Sequence, residues 1–217
     1  MTSPGSSGVR RDQARTRLAR AAVIGAARTL FLERGYGATT IEAISELADV
    51  PAATVYRLFS SKHGILKSLL DASIVGDDQD LPMADRPQVQ TLLAERDPTE
   101  QLAGFVAITA QVNARIAPLY RVLVSAAGTD PDAAALLDTL TSQRQQGQQL
   151  VARSLARAGA LRPGLRERDA ADIIHALLSP ELYRLLVIDR GWKPERYQPW
   201  LATTLADQLL PDASSSG

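Results

Sequence analysis

Apolar residues along this chain recur at three- and four-residue spacings almost from end to end, the signature of amphipathic helices. Val23, Ala27, Leu30 and Phe31 fall at i, i+4, i+7 and i+8. They predict a helix over about 10–34, ended by Gly35, where a left-handed residue is wanted. Gly37 keeps the next residues in a turn. Thr39-Thr40-Ile41-Glu42 then reads as a capping box, with Thr39 opening a second helix whose inner face is Ile41, Ile44 and Ala48. Asp49 and Val50 form a tight turn. Pro51 stands at the start of a third helix with Val55, Leu58 and Phe59 as its apolar positions. Ser61 is placed to cap a fourth, which carries Ile65, Leu66, Leu69 and Leu70.

Residues 76–87 interrupt this pattern with acids and prolines, and a domain boundary belongs there. Helical spacing resumes over about 88–95, 99–127 with Pro118 inside, 132–158, 167–190 with Pro180 inside, and 194–210. No alternating Val/Ile/Thr run bounded by turn residues occurs, so no strand is expected. The reading is an all-α protein: an N-terminal three-helix helix-turn-helix domain and a larger C-terminal helical domain. Its parts are a flexible start (1–9), the first domain (10–75), the second (76–211) and a flexible tail (212–217).

Composition narrows the class. The chain has 217 residues, 45% hydrophobic and 22% charged, as a globular protein of one or two domains would. Cysteine is absent, which removes disulfides and thiolate metal sites and fits the cytoplasm. No stretch of about 18 uninterrupted apolar residues suggests a membrane span. The zero net charge conceals an asymmetry: residues 1–70 hold ten Lys/Arg against five Asp/Glu, and the remainder is acidic by the same margin. A basic front half points toward an anionic partner.

Two eight-residue helices joined by a tight turn are the shape of a helix-turn-helix. The B-DNA major groove admits one helix, whose outer face must be small or polar for the backbone to approach base edges. Ala52, Ala53, Thr54, Tyr56 and Arg57 give the third helix such a face. Lys62 adds a cation at the next helix start, itself an anion site. The block Phe31-Leu32-Glu33-Arg34-Gly35-Tyr36-Gly37-Ala38-Thr39-Thr40-Ile41, followed by Val50-Pro51-Ala52-Ala53-Thr54-Val55-Tyr56-Arg57-Leu58-Phe59 and Ser61-Lys62, resembles the DNA-binding signature of the TetR family over about residues 18–70. The resemblance implies that Thr40, Thr54, Tyr56 and Lys62 contact phosphates and that Ala52, Ala53 and Arg57 face bases. Asp49 stands where the family usually has glycine, and Pro51 where it commonly has a serine cap.

The resemblance further implies a homodimer on a palindromic double-stranded DNA operator, released by a small-molecule effector bound among the C-terminal helices. Phe105, Ile108, Gln111, Val112, Ile116, Tyr120, His175 and Tyr183 are the candidate lining, although ordinary core packing accounts for such residues equally well. Their mixture suggests a mostly apolar effector with one or two polar groups. The apolar helices over 167–190, with the start of the last, are the expected dimer surface.

Catalysis finds no support: the two histidines, His63 and His175, are far apart, and no phosphate loop or nucleophile motif occurs. No cofactor or metal is expected, and Asp77, Asp78 and Asp80 read as a solvated linker. The reading is a repressor. The alternatives are an effector-independent or chromosome-associated DNA-binding protein, and a small-molecule binder that keeps the helix-turn-helix as scaffold.

Overall fold

The computed structural model describes residues 6–76 and 85–211. Among these every regular element is helical: α1 (Ser6–Ala38), α2 (Ile41–Ala48), α3 (Ala52–Phe59), α4 (Lys62–Val75), α5 (Pro87–Leu93), α6 (Pro98–Ala127), α7 (Pro131–Arg157), α8 (Glu167–Leu177), α9 (Pro180–Tyr183) and α10 (Pro194–Leu209). A π-helical segment, Arg184–Asp189, continues α9. The acidic stretch Asp77, Asp78 and Asp80 and the tail 212–217 lie outside the described residues. The first helix starts at Ser6, inside the stretch read as a flexible start.

The described residues gather into two compact units. The first joins residues up to Ala72 with Leu119–Leu136, and the second joins Ser73–Pro118 with the residues from Leu137 onward. Sequence punctuation alone put 119–136 with the C-terminal half. The division instead falls after Pro118, inside α6, where helical periodicity continues and no acidic or glycine-rich break marks a boundary.

In the first unit, Val23, Ala27, Leu30 and Phe31 of α1 are buried with Ile44 of α2, Val55 and Phe59 of α3, and Ile65, Leu66, Leu69 and Leu70 of α4. Leu119 and Leu123 of α6 are fully buried in this unit too. α1 is interrupted at Gly35 (φ 77°, ψ 170°), a conformation costly for any residue with a Cβ. The cap of α2 is Thr40, one residue later than the capping-box reading placed it: its Oγ1 accepts from the Ala43 amide at 3.1 Å. Thr39 is fully buried, and its hydroxyl is directed at the Leu30 and Gly35 carbonyls, at 3.2 and 2.8 Å. The buried hydroxyl is thus satisfied by backbone carbonyls beside the break in α1.

In the second unit, one core unites α5 (Val89), α6 (Leu102, Phe105, Val106, Ala110), α7 (Val151, Ala152, Leu155), α8 (Ala170, Ile174) and α10 (Tyr197, Leu201, Leu205, Leu209). Arg115 of α6 donates to the Ser73 and Ile74 carbonyls at the end of α4, at 2.8 and 3.2 Å, a cation where a helix C-terminus favours one. By length and composition α6 would suffice to cross a membrane. Its apolar positions Leu102, Phe105, Val106, Ala110 and Ala117 are instead occupied in core packing.

Candidate nucleic-acid interface

The turn between α2 and α3 is built from three local decisions. Asp49 takes the left-handed conformation (φ 51°), which a short polar side chain tolerates. The Val50 amide donates to the Ser45 carbonyl at 3.1 Å, and the Ser45 hydroxyl donates to the Val50 carbonyl at 2.6 Å. Pro51 then occupies the N-cap of α3 with no side-chain capping bond, one position before the first helical residue where sequence spacing placed it. Its carbonyl accepts from Thr54 and Val55 at 2.8 and 3.1 Å, so the helix starts without a polar cap.

With Val55 and Phe59 buried, α3 turns its other face outward. Ala53, Tyr56 and Arg57 are exposed, and Ala52 and Thr54 are half-buried. Tyr56 is 47% exposed, a large aromatic left open in an otherwise packed domain. Thr40 is also exposed; its oxygen accepts the capping bond, which leaves its hydroxyl proton free to donate outward. α3 thus gathers Ala52, Ala53, Thr54, Tyr56 and Arg57 on one short helix, and Thr40 stands at the N-terminus of α2.

Lys62, at the start of α4, has partners within the chain. Its Nζ donates to the Tyr36 and Thr39 carbonyls at 2.8 and 2.9 Å and lies 4.2 Å from the Tyr36 ring centroid. Burial pushes its pKa below the ordinary lysine value, with Asp130 acting in the opposite direction. The ammonium stitches the start of α4 to the corner between α1 and α2. Tyr36 itself packs beside Phe31 (centroids 5.6 Å apart), and its hydroxyl pKa is pushed up to about 12, by burial first and the Asp130 carboxylate second.

Sequence reading passed over two residues here. Arg20 of α1 donates from Nη1 to the Leu58 carbonyl at 3.0 Å and lies over the Phe59 ring at 4.6 Å, holding the C-terminal end of α3. Its partner lies 38 residues away, so no local pattern announces it. Gly64, in the first turn of α4, sits where a Cβ would come 2.0 Å from the Phe59 carbonyl oxygen. The close approach of α4 to the end of α3 requires glycine there.

The eight candidate effector residues differ in burial and fall in both units. Phe105, Ile116, Tyr120 and Tyr183 are buried, Ile108, Val112 and His175 half-buried, and Gln111 is exposed. Tyr120 falls in the first unit and the others in the second. None of them lines the two open grooves of about 350 Å³, one between α6 and α10 at Ala103, Pro194 and Gln198, the other at Phe31, Tyr36 and Arg121. His175 has specific partners: Nδ1 lies 2.7 Å from Gln148 Oε1, and Nε2 lies 3.1 Å from Arg144 Nη2. Burial, then the Arg144 charge, lowers its pKa below the ordinary imidazole value.

Comparison with known proteins agrees with this geometry. Residues 23–69 match the family described as "Bacterial regulatory proteins, tetR family". An uncharacterized HTH-type transcriptional regulator of Bacillus subtilis (strain 168), YdeS, is 28% identical over 168 residues, covering 76% of this chain and 77% of its own. Among solved structures, NalD, described as the secondary repressor of the MexAB-OprM multidrug efflux pump in Pseudomonas aeruginosa, superposes with a TM-score of 0.67 at 23% identity, over 88% of this chain and 96% of NalD. SmeT in complex with triclosan superposes at 0.64 and 17% identity, over 90% and 93% of the two chains.

Proposed function

We propose, from the premise that this chain carries the DNA-binding domain of the bacterial regulatory proteins of the tetR family, that it is a cytoplasmic, homodimeric repressor of a palindromic operator, released by a small molecule. The observation that carries the DNA contact is the outer face of α3. Alanine, threonine, tyrosine and arginine share the face of α3 opposite its buried residues, and such a small and polar face supports contact with base edges and phosphates in a major groove wide enough for one helix. Arg57 is the base reader of this set, since a guanidinium can bond guanine O6 and N7 together. Thr40, Thr54 and Tyr56 supply hydroxyls to phosphates.

A single such domain reads only a few base pairs, and a two-fold dimer reads two half-sites about one helical turn apart. The surface that supports dimerisation is apolar and open: Leu185 (48% exposed), Ile188 (49%) and Trp200 (37%) lie beyond α9 and on α10. Apolar residues left uncovered on one region of a soluble domain mark a protein interface. The triclosan complex of SmeT and the pump-repressor description of NalD support a regulator that answers a largely apolar compound.

Selection of bound DNA from a random pool, with purified protein at near-physiological salt, tests the reading. A recovered palindrome with half-sites about one turn apart is expected. Recovery of only salt-sensitive, sequence-blind binding would favour a chromosome-associated protein and remove the operator from the proposal.

A further inference from the structure

The second unit contains a polar cluster that packing alone does not explain. Arg144 and Gln148 lie one turn apart on α7, and His175 faces them from α8. Arginine can only donate, so the Arg144 Nη2 hydrogen must meet the lone pair of His175 Nε2 (3.1 Å). The ring proton then sits on Nδ1 and is donated to the Gln148 amide oxygen (2.7 Å). The imidazole is therefore held neutral in one tautomer, with both nitrogens used. Gln148 is only 8% exposed and serves the ring.

The guanidinium is left incomplete by this arrangement. Arg144 Nη1 is buried and has no hydrogen-bond partner. Among the described residues Arg144 forms no ion pair, although the cluster belongs to an acidic half of the chain. Asp172 and Glu181 are near enough to influence the His175 ring, yet both are exposed. A buried guanidinium nitrogen without an acceptor is costly, and an oxyanion that accepts from it removes the cost. Arg144 and His175 are themselves half-buried, so part of the cluster reaches the surface of the unit and Nη1 lies just beneath it.

We propose that Arg144, oriented by His175 and Gln148, is the anchor for the anionic head group, of carboxylate type, of the effector. This rests on the effector reading above and sharpens it: the compound combines an apolar body with one negative oxygen-bearing group. His175 fixes the guanidinium plane by accepting at Nη2 and leaves Nη1 to bond the ligand.

The chain has two histidines, so a ¹⁵N-histidine spectrum of the full-length protein contains two rings, with His63 in the first unit as internal reference. The probes are acetate, octanoate and the corresponding neutral amides. The expected result is a saturable shift of the His175 nitrogens with the carboxylates, with no change at His63 and none with the amides. Arg144→Gln weakens octanoate at least about tenfold, and Arg144→Lys, which keeps the charge, restores part of the affinity. A flat response to every carboxylate, an equal response to the amides, or an Arg144→Gln protein that binds octanoate like the wild type overturns the proposal. Operator release by a neutral compound that leaves His175 unmoved also overturns it, while preserving the effector reading. Failure of a broad compound set to release the operator at all would end both.

Discussion

Replacing Lys62 by methionine removes an ammonium while keeping most of its aliphatic stem, and its consequences separate two roles for one cation. In the structure Nζ bonds the Tyr36 and Thr39 carbonyls at 2.8 and 2.9 Å and lies over the Tyr36 ring. Hydrogen bonds from a charged donor contribute about 1.5–3 kcal/mol each, and a partly exposed cation–π contact about 0.5–1. The ammonium is partly desolvated, and its removal recovers some of that cost, so the net loss should be about 2–3 kcal/mol. For a chain of this size that lowers the melting temperature by roughly 5–10 °C. Operator affinity should fall as well, because the corner that sets Thr40 and the start of α2 loosens. The slope of log affinity against log salt should stay unchanged, since no phosphate contact is lost. If Lys62 instead met a phosphate, the melting temperature would barely move and the slope would shrink by about 0.9. Thermal melting paired with salt-dependent binding on the selected operator decides it, and the second pattern would refute the clamp.

Arg57→Ala should cost about 1–3 kcal/mol of operator binding and relax the preference at one base pair per half-site, read by repeating the DNA selection with the variant. Gly64→Ala places a Cβ against the Phe59 carbonyl and should destabilise the first unit by about 1–3 kcal/mol, seen as reduced protease resistance of α1–α4; a wild-type profile would show that the contact can relax at no cost. Leu185→Arg with Ile188→Arg should give monomers by sedimentation with an intact circular dichroism spectrum, and persistent dimers would move the interface elsewhere. Burial and the Arg144 charge hold the folded pKa of His175 below the ordinary imidazole value, so as the pH falls the unfolded chain binds the proton first. Its contribution to stability is present above that value and is lost below it, and His175→Asn should flatten this part of the acid unfolding curve.

Helices and turns were legible in the sequence wherever the cause is local. Gly35, Asp49, Pro51 and Ser61 act on their own backbone or on amides within three residues; the break, the left-handed turn and the cap appear where Gly35, Asp49 and Ser61 stand, and the third helix starts one residue after Pro51. The outer face of α3 was legible for the same reason, as the complement of Val55 and Phe59 on an eight-residue helix. Legibility failed where partners are distant. Arg20 meets Leu58, Lys62 meets Tyr36 and Thr39, and the Arg144–His175 contact spans 31 residues. Thr39 and Thr40 illustrate a finer limit: the capping-box spacing pointed to Thr39, whose hydroxyl is instead buried against the Leu30 and Gly35 carbonyls, and Thr40 caps the helix. The candidate effector residues were chosen as large or polar side chains on apolar helices, a criterion that core packing also satisfies, and it dispersed them over two units.

The aromatic residues carry one last consequence. The chain's two tryptophans, Trp192 and Trp200, touch edge to face at 5.3 Å, Arg196 stacks on the first at 3.8 Å, and Tyr197 adjoins the second. Both therefore emit from one spot, beside the apolar surface of α10, and the α1–α4 domain, which has tyrosines but no tryptophan, is silent when only tryptophan is excited. Fluorescence excited at the red edge of protein absorption is a private channel to the second unit. A denaturation followed by that signal alone will miss any separate melting of the DNA-binding domain, and its agreement or disagreement with far-ultraviolet dichroism measures how tightly the two units cooperate.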